Sequence, residues 1–431
     1  MGISSALYSG VSGISTNSQA LTVIGNNLAN TNTLGFKGAR TVFSDLLSST
    51  INGSGGKSQV GRGVGVSKVD NLFTQGTFES TESPLDVAIE GPGFFLLSEP
   101  GDDSVYYSKG GAFRFDENGY LMNPEGYRVQ GKLYDENGVL EPGDPTDIMV
   151  SSRGLIGGNA TTEATLTTNL DSTEPIMPIA GFVFDDPTTY NYSSSTQVFD
   201  SLGNEHLITS YFNKIANNEW RWSYSYTDDT GAVTTGLGAI LGDGGPGLTF
   251  NTDGIMVDPD GATPDVIEPT TGTIPGIDWL NGSEPGQAIT ITFDTTQFNS
   301  ESAVISQEQN GYGAGEMTGV NIDDEGTVIA SFSNGEQIKV AHLVLSTFTN
   351  PRGLESIGKN LYKETDNSGG PRTGLPGVEL GKIFTNSLEQ SNVDMGAEFV
   401  RMITVQRGFQ ANSKIITTVD ELLGDLINLK R

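Results

Sequence analysis

The 431-residue chain contains no cysteine, only two histidines, and 23 lysines and arginines against 53 aspartates and glutamates. The missing thiols exclude disulfides, zinc–thiolate sites, cysteine nucleophiles and thiol redox chemistry together. His206 and His342 stand alone, so a histidine-based metal cluster would draw most of its ligands from carboxylates. Bases are too sparse to neutralise a phosphate backbone, and neither nucleic acid nor an anionic membrane is expected as a partner. No run of about 18 apolar residues occurs, so no membrane insertion is expected. The N-terminus lacks the basic flank and continuous apolar run of a cleaved secretory signal, and its first charged residue is Lys37.

What is present is 57 glycines, a hydrophobic fraction of 35% and a formal net charge of −30. At roughly 100 to 200 residues per domain the length allows two to four domains and a sizeable core. The charge is distributed unevenly. Residues 1–70 carry five bases and two acids, residues 386–431 five bases and six acids, and the interior 13 bases and 45 acids. Between Arg153 and Lys339 the only bases are Lys214 and Arg221. Such an interior reads as a solvated, self-repelling surface.

The two ends have helical periodicity. Leu7, Ile14, Leu21 and Leu28 recur every seven residues, with Ile3, Val11 and Ile24 beside them on one face. Charge pairs contribute nothing to this helix, and Gly10, Gly13 and Gly25 each cost about 1 kcal/mol relative to alanine. Alone it is marginal. Towards the C-terminus Leu388, Met395, Met402, Phe409, Ile416 and Leu423 hold six heptad positions, flanked by Phe399, Val405, Val419, Leu426 and Ile427. The spacing predicts a helix over 388–429 that approaches 60 Å at about 1.5 Å per residue. A sustained heptad favours a supercoiled seam. Two apolar stripes at opposite ends of one chain predict a coiled-coil-like pairing, with the middle inserted as a protrusion. One helix pair cannot shield both seams, so further copies of the chain are the expected partners.

The interior reads as β. Asp116-Glu-Asn-Gly119, Asp135-Glu-Asn-Gly138 and Ser333-Asn334-Gly335 are turn signals, with Asn-Gly expected to supply the positive φ angles of tight hairpins. Short apolar runs flank them at 113–115, 120–122, 328–332 and 338–345. Trp220, Trp222, Tyr224 and Tyr226 alternate on one strand face and read as a hydrophobic sheet surface in preference to a ligand platform. Segments 242–287 and 364–377 are rich in Gly, Pro, Asp and Thr and read as loops.

Motifs that carry chemistry are few. Gly53-Ser-Gly-Gly-Lys57-Ser58 fails as a phosphate loop because the required first glycine falls on Ile51 and no apolar strand precedes it. Gly61-Arg-Gly63-Val-Gly65 has no following helix, so this stretch reads as an extended glycine-rich linker. Asp258-Pro-Asp260-Gly261 and Asn321-Ile-Asp-Asp-Glu-Gly326 lack the closing bidentate Glu and flanking helices of a calcium loop, and turn chemistry explains both. No nucleophile stands at suggestive spacing from a base, and no enzyme activity, metal or cofactor is expected.

Specific motifs remain. Ala6-Leu-Tyr-Ser-Gly-Val-Ser-Gly13 and Asn26-Asn-Leu-Ala-Asn-Thr-Asn-Thr-Leu-Gly-Phe-Lys37 resemble the N-terminal signature of the bacterial flagellar rod and hook family of axial proteins. Gln75-Gly-Thr-Phe, Leu85-Asp-Val-Ala-Ile-Glu-Gly-Pro-Gly-Phe-Phe95 and Gly126-Tyr-Arg-Val-Gln-Gly131 resemble its first β domain. Leu388-Glu-Gln-Ser-Asn-Val-Asp394, Glu398-Phe-Val and Gln406-Arg-Gly-Phe-Gln-Ala-Asn412 resemble its closing helix. Together these cover both ends and about a third of the chain. The insertion, with Ala164-Thr-Leu-Thr-Thr-Asn-Leu-Asp171, Val198-Phe-Asp-Ser-Leu-Gly-Asn204 and Phe348-Thr-Asn-Pro-Arg-Gly-Leu354, is similar to that of the hook branch. Rod members are usually shorter, and the distal rod is the nearer alternative. An acidic calcium-dependent adhesin is the remote one. At Tyr107-Ser-Lys109 the chain departs from the family's usual Tyr-Thr-Arg.

The resemblance implies a mixed α and β multi-domain fold whose terminal helices form a coiled-coil-like inner domain with nested all-β domains between them. The expected boundaries are 1–35 with 386–431 for the helical domain, 36–70 with 364–385 for a linker, 71–155 with 301–363 for a first β domain, and 156–300 for an outer acidic β domain. The expected seam residues are Leu7, Ile14, Leu21, Ile24, Leu28, Met395, Phe399, Met402, Phe409, Ile416 and Leu423. The resemblance further implies type III export without a cleaved signal, with Phe43 and Leu47 spaced like the family's export-gate recognition motif. The implied product is a flexible curved tube outside the cell that joins rod to filament. Its implied partners are further copies of the chain, the distal rod protein, the hook–filament junction proteins, the hook cap and the export apparatus.

Overall fold

The computed structural model describes residues 2–46, 49–53, 56–102, 104–135, 138–150, 154–177, 182–237, 239–240, 247–257 and 270–429. Among these the chain folds as a long series of strands with one long helix near each end: α1, Gly2–Ala29, and α2, Met395–Leu429. Mixed α and β with nested β between terminal helices is therefore the observed class.

α1 has no acid in its first turn and no base in its last. Its polar side chains fold back onto their own helix: Thr16 Oγ1 donates to the Ser12 carbonyl at 2.8 Å, and Asn17 Nδ2 to that of Gly13 at 2.8 Å. α2 starts at a cap, where Asp394 Oδ1 accepts the Ala397 N–H at 3.1 Å. The heptad pattern predicts a start near 388, and the structure corrects it. Leu388 is 8% exposed within the strand Ser387–Glu389, which pairs with Phe78–Ser80. The Asn392 amide holds the next residues extended by donating to the carbonyls of Leu72 at 2.6 Å and Thr74 at 3.1 Å. The heptad phase ran through Leu388 because a buried strand residue precedes the helix in register.

The helices are antiparallel, and the glycines set their spacing. A Cβ at Gly13 would stand 2.6 Å from the Asn412 side chain, one at Gly10 3.1 Å from Ile416 Cγ1, and one at Gly408 3.4 Å from the Asn17 amide. Glycines that weaken isolated α1 thus permit its close approach to α2, whereas Gly25 has no neighbour within 4 Å. Residues after α1 also depart from expectation. The stretch read as an extended linker contains a hairpin, with Ala39–Asp45 antiparallel to Val64–Asn71 and a register shift between Val42 and Phe43. Asn27 clamps it to α1, donating to the Ala39 carbonyl at 2.7 Å and accepting the Ala39 N–H at 2.9 Å.

The chain divides into two compact units. One comprises Met1–Ser152, Gly319–Ala330 and Gln337–Arg431, and the other Arg153–Thr318 and Ser331–Glu336. In the first, antiparallel strands run in the order Gln337–Leu343, Arg128–Leu133, Phe94–Ser98, Val105–Ser108, Leu361–Lys363 and Glu355–Gly358. Phe95, Leu97, Leu121, Val129, Ile148 and Leu343 are fully buried here. Phe94, Tyr107, Phe348 and Tyr362 form a second cluster with edge-to-face ring contacts.

Among the described residues the second unit is built mainly on two sheets. Glu163–Asp171 lies parallel to Gln287–Phe298, and Thr270–Ile277 and Ala303–Gln309 flank them antiparallel. Tyr192–Phe199, Glu205–Ala216 and Glu219–Thr227 form an antiparallel meander, continued by Gly247–Phe250 and Met256–Val257. One core takes side chains from both sheets, including Trp220, Trp222, Phe212 and Phe293, together with Trp279 from the connection after Ile277, all 0% exposed. At about 1.5–3 kcal/mol for each large apolar side chain, these aromatics are structural anchors of the unit. The aromatic row on Glu219–Thr227 is thus a core face.

Two expectations about turns and loops are corrected. In Asp116–Gly119 and Ser333–Gly335 only the glycine has positive φ, 82° at Gly119 and 90° at Gly335. Asp116 Oδ1 accepts the N–H groups of Asn118 at 2.9 Å and Tyr120 at 2.7 Å, so an aspartate-capped turn replaces the two-residue primed hairpin. A two-residue turn with both φ values positive is found instead at Lys359-Asn360, at 54° and 56°, after Gly358 at 93°. Among the described residues segment 242–287, read as loop, contains three strands, and in segment 364–377 the strand Arg372–Gly374 pairs with Leu345–Thr347. The glycine signal misled because Gly272 is a packing residue: a Cβ there would lie 2.3 Å from the Trp222 ring.

Candidate assembly interface

The predicted seam residues occupy three environments. Ile24 is buried at 7% exposure, while Leu7, Ile14, Leu21, Leu28, Met402, Ile416 and Leu423 are half-buried. Met395, Phe399 and Phe409 are exposed at 49%, 45% and 37%. Beside these, α2 exposes Val400, Ile403, Ile415 and Leu422, and α1 exposes Tyr8 and Val11. The heptad stripe therefore divides into one part covered by the partner helix and one part open to solvent. Phe43 is 46% exposed on the hairpin, and Leu47 lies outside the described residues.

Lys37 and Glu389, residues of the N- and C-terminal motifs with no role legible in the sequence, join the two ends of the chain. Lys37 Nζ lies 2.6 Å from Glu389 Oε1 with side chains 1% and 0% exposed, and it also donates to the Thr74 carbonyl at 2.8 Å. Glu389 Oε1 accepts the Gly76 N–H at 2.7 Å, and the Glu389 carbonyl accepts the Gly35 N–H at 2.8 Å. A lone cation at the end of an uncharged N-terminal stretch was the available signal. Lys109, at the position where the family usually has arginine, is 3% exposed and donates to the Gly91 carbonyl at 2.6 Å. Burial pushes its pKa down to about 7, opposed by the Glu389 carboxylate and reinforced by Lys37. An arginine would keep its charge here, whereas a lysine can shed it.

The second unit has its own buried carboxylate. Burial alone would raise the Asp200 carboxyl. The amides of Asn281 and Asn204, the His206 ring and the Asn204 N–H together hold it far below the usual carboxylate range. His206 stacks on Trp279 with ring centroids 3.8 Å apart, so this cluster ties the 200–206 turn to segment 279–281. Asp323 likewise caps its own turn, accepting the N–H groups of Glu325 and Thr327. Segment 258–261 lies outside the described residues. Among the described residues no group of three His, Asp or Glu side chains is placed to hold a metal ion, and no helix is long and apolar enough to cross a membrane.

Paired terminal helices with uncovered apolar rows, closed at their base by a buried ion pair and carrying nested β units, define a structural, axial class of protein. Comparison with known proteins gives the family. Four family models match in chain order: Flagella basal body rod protein over 7–37, Flagellar hook protein FlgE/F/G D1 domain over 88–158, Flagellar basal body protein FlaE D2 domain over 169–312, and Flagellar basal body rod FlgEFG protein C-terminal over 385–429. The flagellar hook protein FlgE of Escherichia coli strain K12 is 35% identical over 99% of this chain and 100% of its own length. That of Borreliella burgdorferi is 33% identical over 99% of each chain. The solved Helicobacter pylori flagellar hook protein FlgE2 shares the fold over 72% of this chain and 100% of its own, with a TM-score of 0.52 at 15% identity. The chain belongs to the flagellar hook protein family. Neither the rod nor the adhesin alternative is favoured by these relatives.

Proposed function

We propose that this protein is the structural subunit of a flagellar hook, exported by the flagellar type III system without a cleaved signal and polymerised outside the cell into a flexible curved tube. The tube transmits torque from rod to filament. The observation that carries this reading is full-length similarity to hook proteins, and it is supported by the apolar rows that the terminal helices leave uncovered. The physical logic follows from the two kinds of surface. The near-neutral ends supply apolar contacts that hold, because burying such rows between copies offsets the cost of ordering them. The strongly acidic interior supplies hydrated, repelling surfaces that slide as the tube bends. The proposed contacts are the seam residues given above, and Phe43 with Leu47 is the proposed export-gate segment. The distal rod protein, hook cap and junction proteins are the proposed neighbours. Negative-stain microscopy of the purified protein induced to polymerise tests the reading: wide, curved hollow tubes are expected, and a chain that remains monomeric under all inducing conditions refutes it.

A further inference from the structure

A cleft of about 600 Å³ opens on the β part of the first unit, with no residue of either terminal helix in its lining. That lining is apolar at Leu375, Pro376, Ile383 and Phe384, and acidic at Glu90, Asp324 and Glu325. The acids arrive from separate elements. Glu90 ends the strand Val87–Glu90, which pairs with Lys382–Thr385, and Asp324 and Glu325 stand in the turn before Thr327–Phe332. Gly326, at φ 93°, seats that turn on the neighbouring strand, because a Cβ there would lie 2.7 Å from Ile383 Cδ1. The Thr385 hydroxyl donates to Asp324 Oδ1 at 2.7 Å and fixes that carboxylate. Lys382 is the only lysine or arginine of the lining, so the cleft keeps a negative balance. Carboxylates alone would be a solvated surface, and it is His342 that points to a ligand. It lines the cleft and is only 8% exposed. Its Nδ1 lies 3.0 Å from the Leu343 carbonyl, which can only accept, so Nδ1 carries a proton and the neutral ring offers Nε2 as an acceptor. Nε2 has no hydrogen-bond partner among the described residues, and unlike Trp222 Nε1 or Ser210 Oγ it is not sealed from solvent.

A ligand that completes this cleft brings a donor for a nearly buried nitrogen, positive charge for the carboxylates and an apolar stem for Leu375, Pro376 and Ile383. An anion is repelled. A metal ion lacks its ligand set, because among the described residues no three His, Asp or Glu side chains are placed to hold one. An ammonium supplies the charge as a point with three donors. A guanidinium spreads five N–H groups in one plane, forks onto carboxylates and stacks on an aromatic face. Phe384 supplies such a face, 42% exposed and braced by Phe78 at a centroid distance of 5.4 Å. We propose that this cleft binds an alkylguanidinium, with one N–H donating to His342 Nε2, the others turned to Glu90, Asp324 and Glu325, and the plane over Phe384. Free arginine and an arginine side chain on another protein present this same chemistry. The site is separate from the terminal helices and does not depend on how they assemble.

Butylguanidinium is the probe of the chemistry, titrated calorimetrically into the unpolymerised full chain. A saturable site is expected, with butylammonium at least about threefold weaker and neutral citrulline giving no binding. The chain has only two histidines, so imidazole nitrogen resonances separate the cleft from the second unit. On saturation the His342 Nε2 signal is expected to shift and those of His206 to stay. Glu325→Gln, at an exposed position, is expected to weaken binding about threefold, and His342→Gln about tenfold. Tighter binding of free L-arginine than of the blocked peptide acetyl-Leu-Arg-Leu-amide identifies the amino acid as the source, and the reverse order identifies a protein side chain. Either order upholds the guanidinium site. Absence of saturable binding up to about 20 mM butylguanidinium overturns the proposal, as does equal binding of citrulline or butylammonium. An unmoved His342 signal overturns it too, and so does unchanged affinity in both variants.

Discussion

Replacing Lys37 by methionine removes one half of a buried ion pair and keeps most of its volume. Glu389 is then left with the Gly76 N–H on Oε1 and nothing on Oε2, at 0% side-chain exposure. Thr74 loses a donor to its carbonyl. Removing one partner of a buried pair costs about 3–5 kcal/mol, because the remaining charge stays desolvated without compensation. For a unit of this size each kcal/mol lowers the melting midpoint by about 2–4 °C, so a fall of the order of 10 °C is expected. Differential scanning calorimetry is the assay, read together with urea titration. The expected loss belongs to the unit that contains both chain ends, and the unit built on Trp220 and Trp222 melts where it did before. Lys37→Met combined with Glu389→Gln should recover more than half of the loss. The glutamine carbonyl still accepts the Gly76 N–H, its amide can donate towards Thr74, and no charge is stranded. A single variant losing less than about 1 kcal/mol, or a double variant no better than the single, refutes the role assigned to this pair.

Three further outcomes test other parts of the reading. The Lys109 pKa of about 7 lies below its ordinary 10.5, so between those values the unfolded chain binds a proton that the folded chain lacks. Stability of the first unit therefore rises with pH across that window, and below about 7 the penalty is fully present. Lys109→Met should flatten this rise in urea midpoints taken at pH about 6.5 and 9.5, and an unchanged slope shows that Lys109 is not its source. Phe409→Asp or Leu21→Asp should yield a soluble monomer with native β circular dichroism that forms no tubes, and normal tubes from either variant would contradict the seam. Excising 154–317 through a short Gly-Ser linker should leave one cooperative calorimetric transition, because both cores of the first unit are built from residues outside that range. Loss of cooperative folding after this excision would show that the units are interdependent.

Legibility in the sequence followed the range of the interactions. Helical periodicity is local, and the terminal helices were readable from Leu7 to Leu28 and from Met395 to Leu423. The aromatic alternation from Trp220 to Tyr226 was readable as a sheet face for the same reason. Glycine was the residue most often misread. At Gly272 and Gly13 it makes room for Trp222 and Asn412, partners distant in sequence, whereas local rules give it only a turn or a helix penalty. The start of α2 was misplaced because Leu388 satisfies both a heptad and a strand, and only the Asn392 bonds decide between them. Glu398 and Tyr8 stand within the quoted motifs without roles of their own, because the burial of the one and the exposure of the other become visible only in the structure.

The Lys37–Glu389 pair also orders events in time. Its members are 352 positions apart, so the unit that contains them cannot close until nearly the whole chain is available. The core that holds Trp220, Trp222, Trp279 and Phe293 lies within 153–318 and can form while later residues are still absent. Long-range closure is slow because its loop entropy is met before any contact rewards it. A copy cut short before Glu389 keeps a lysine with no counter-charge and lacks all of α2. The first unit therefore closes through this pair only once the chain has been supplied as far as Glu389, directly ahead of α2.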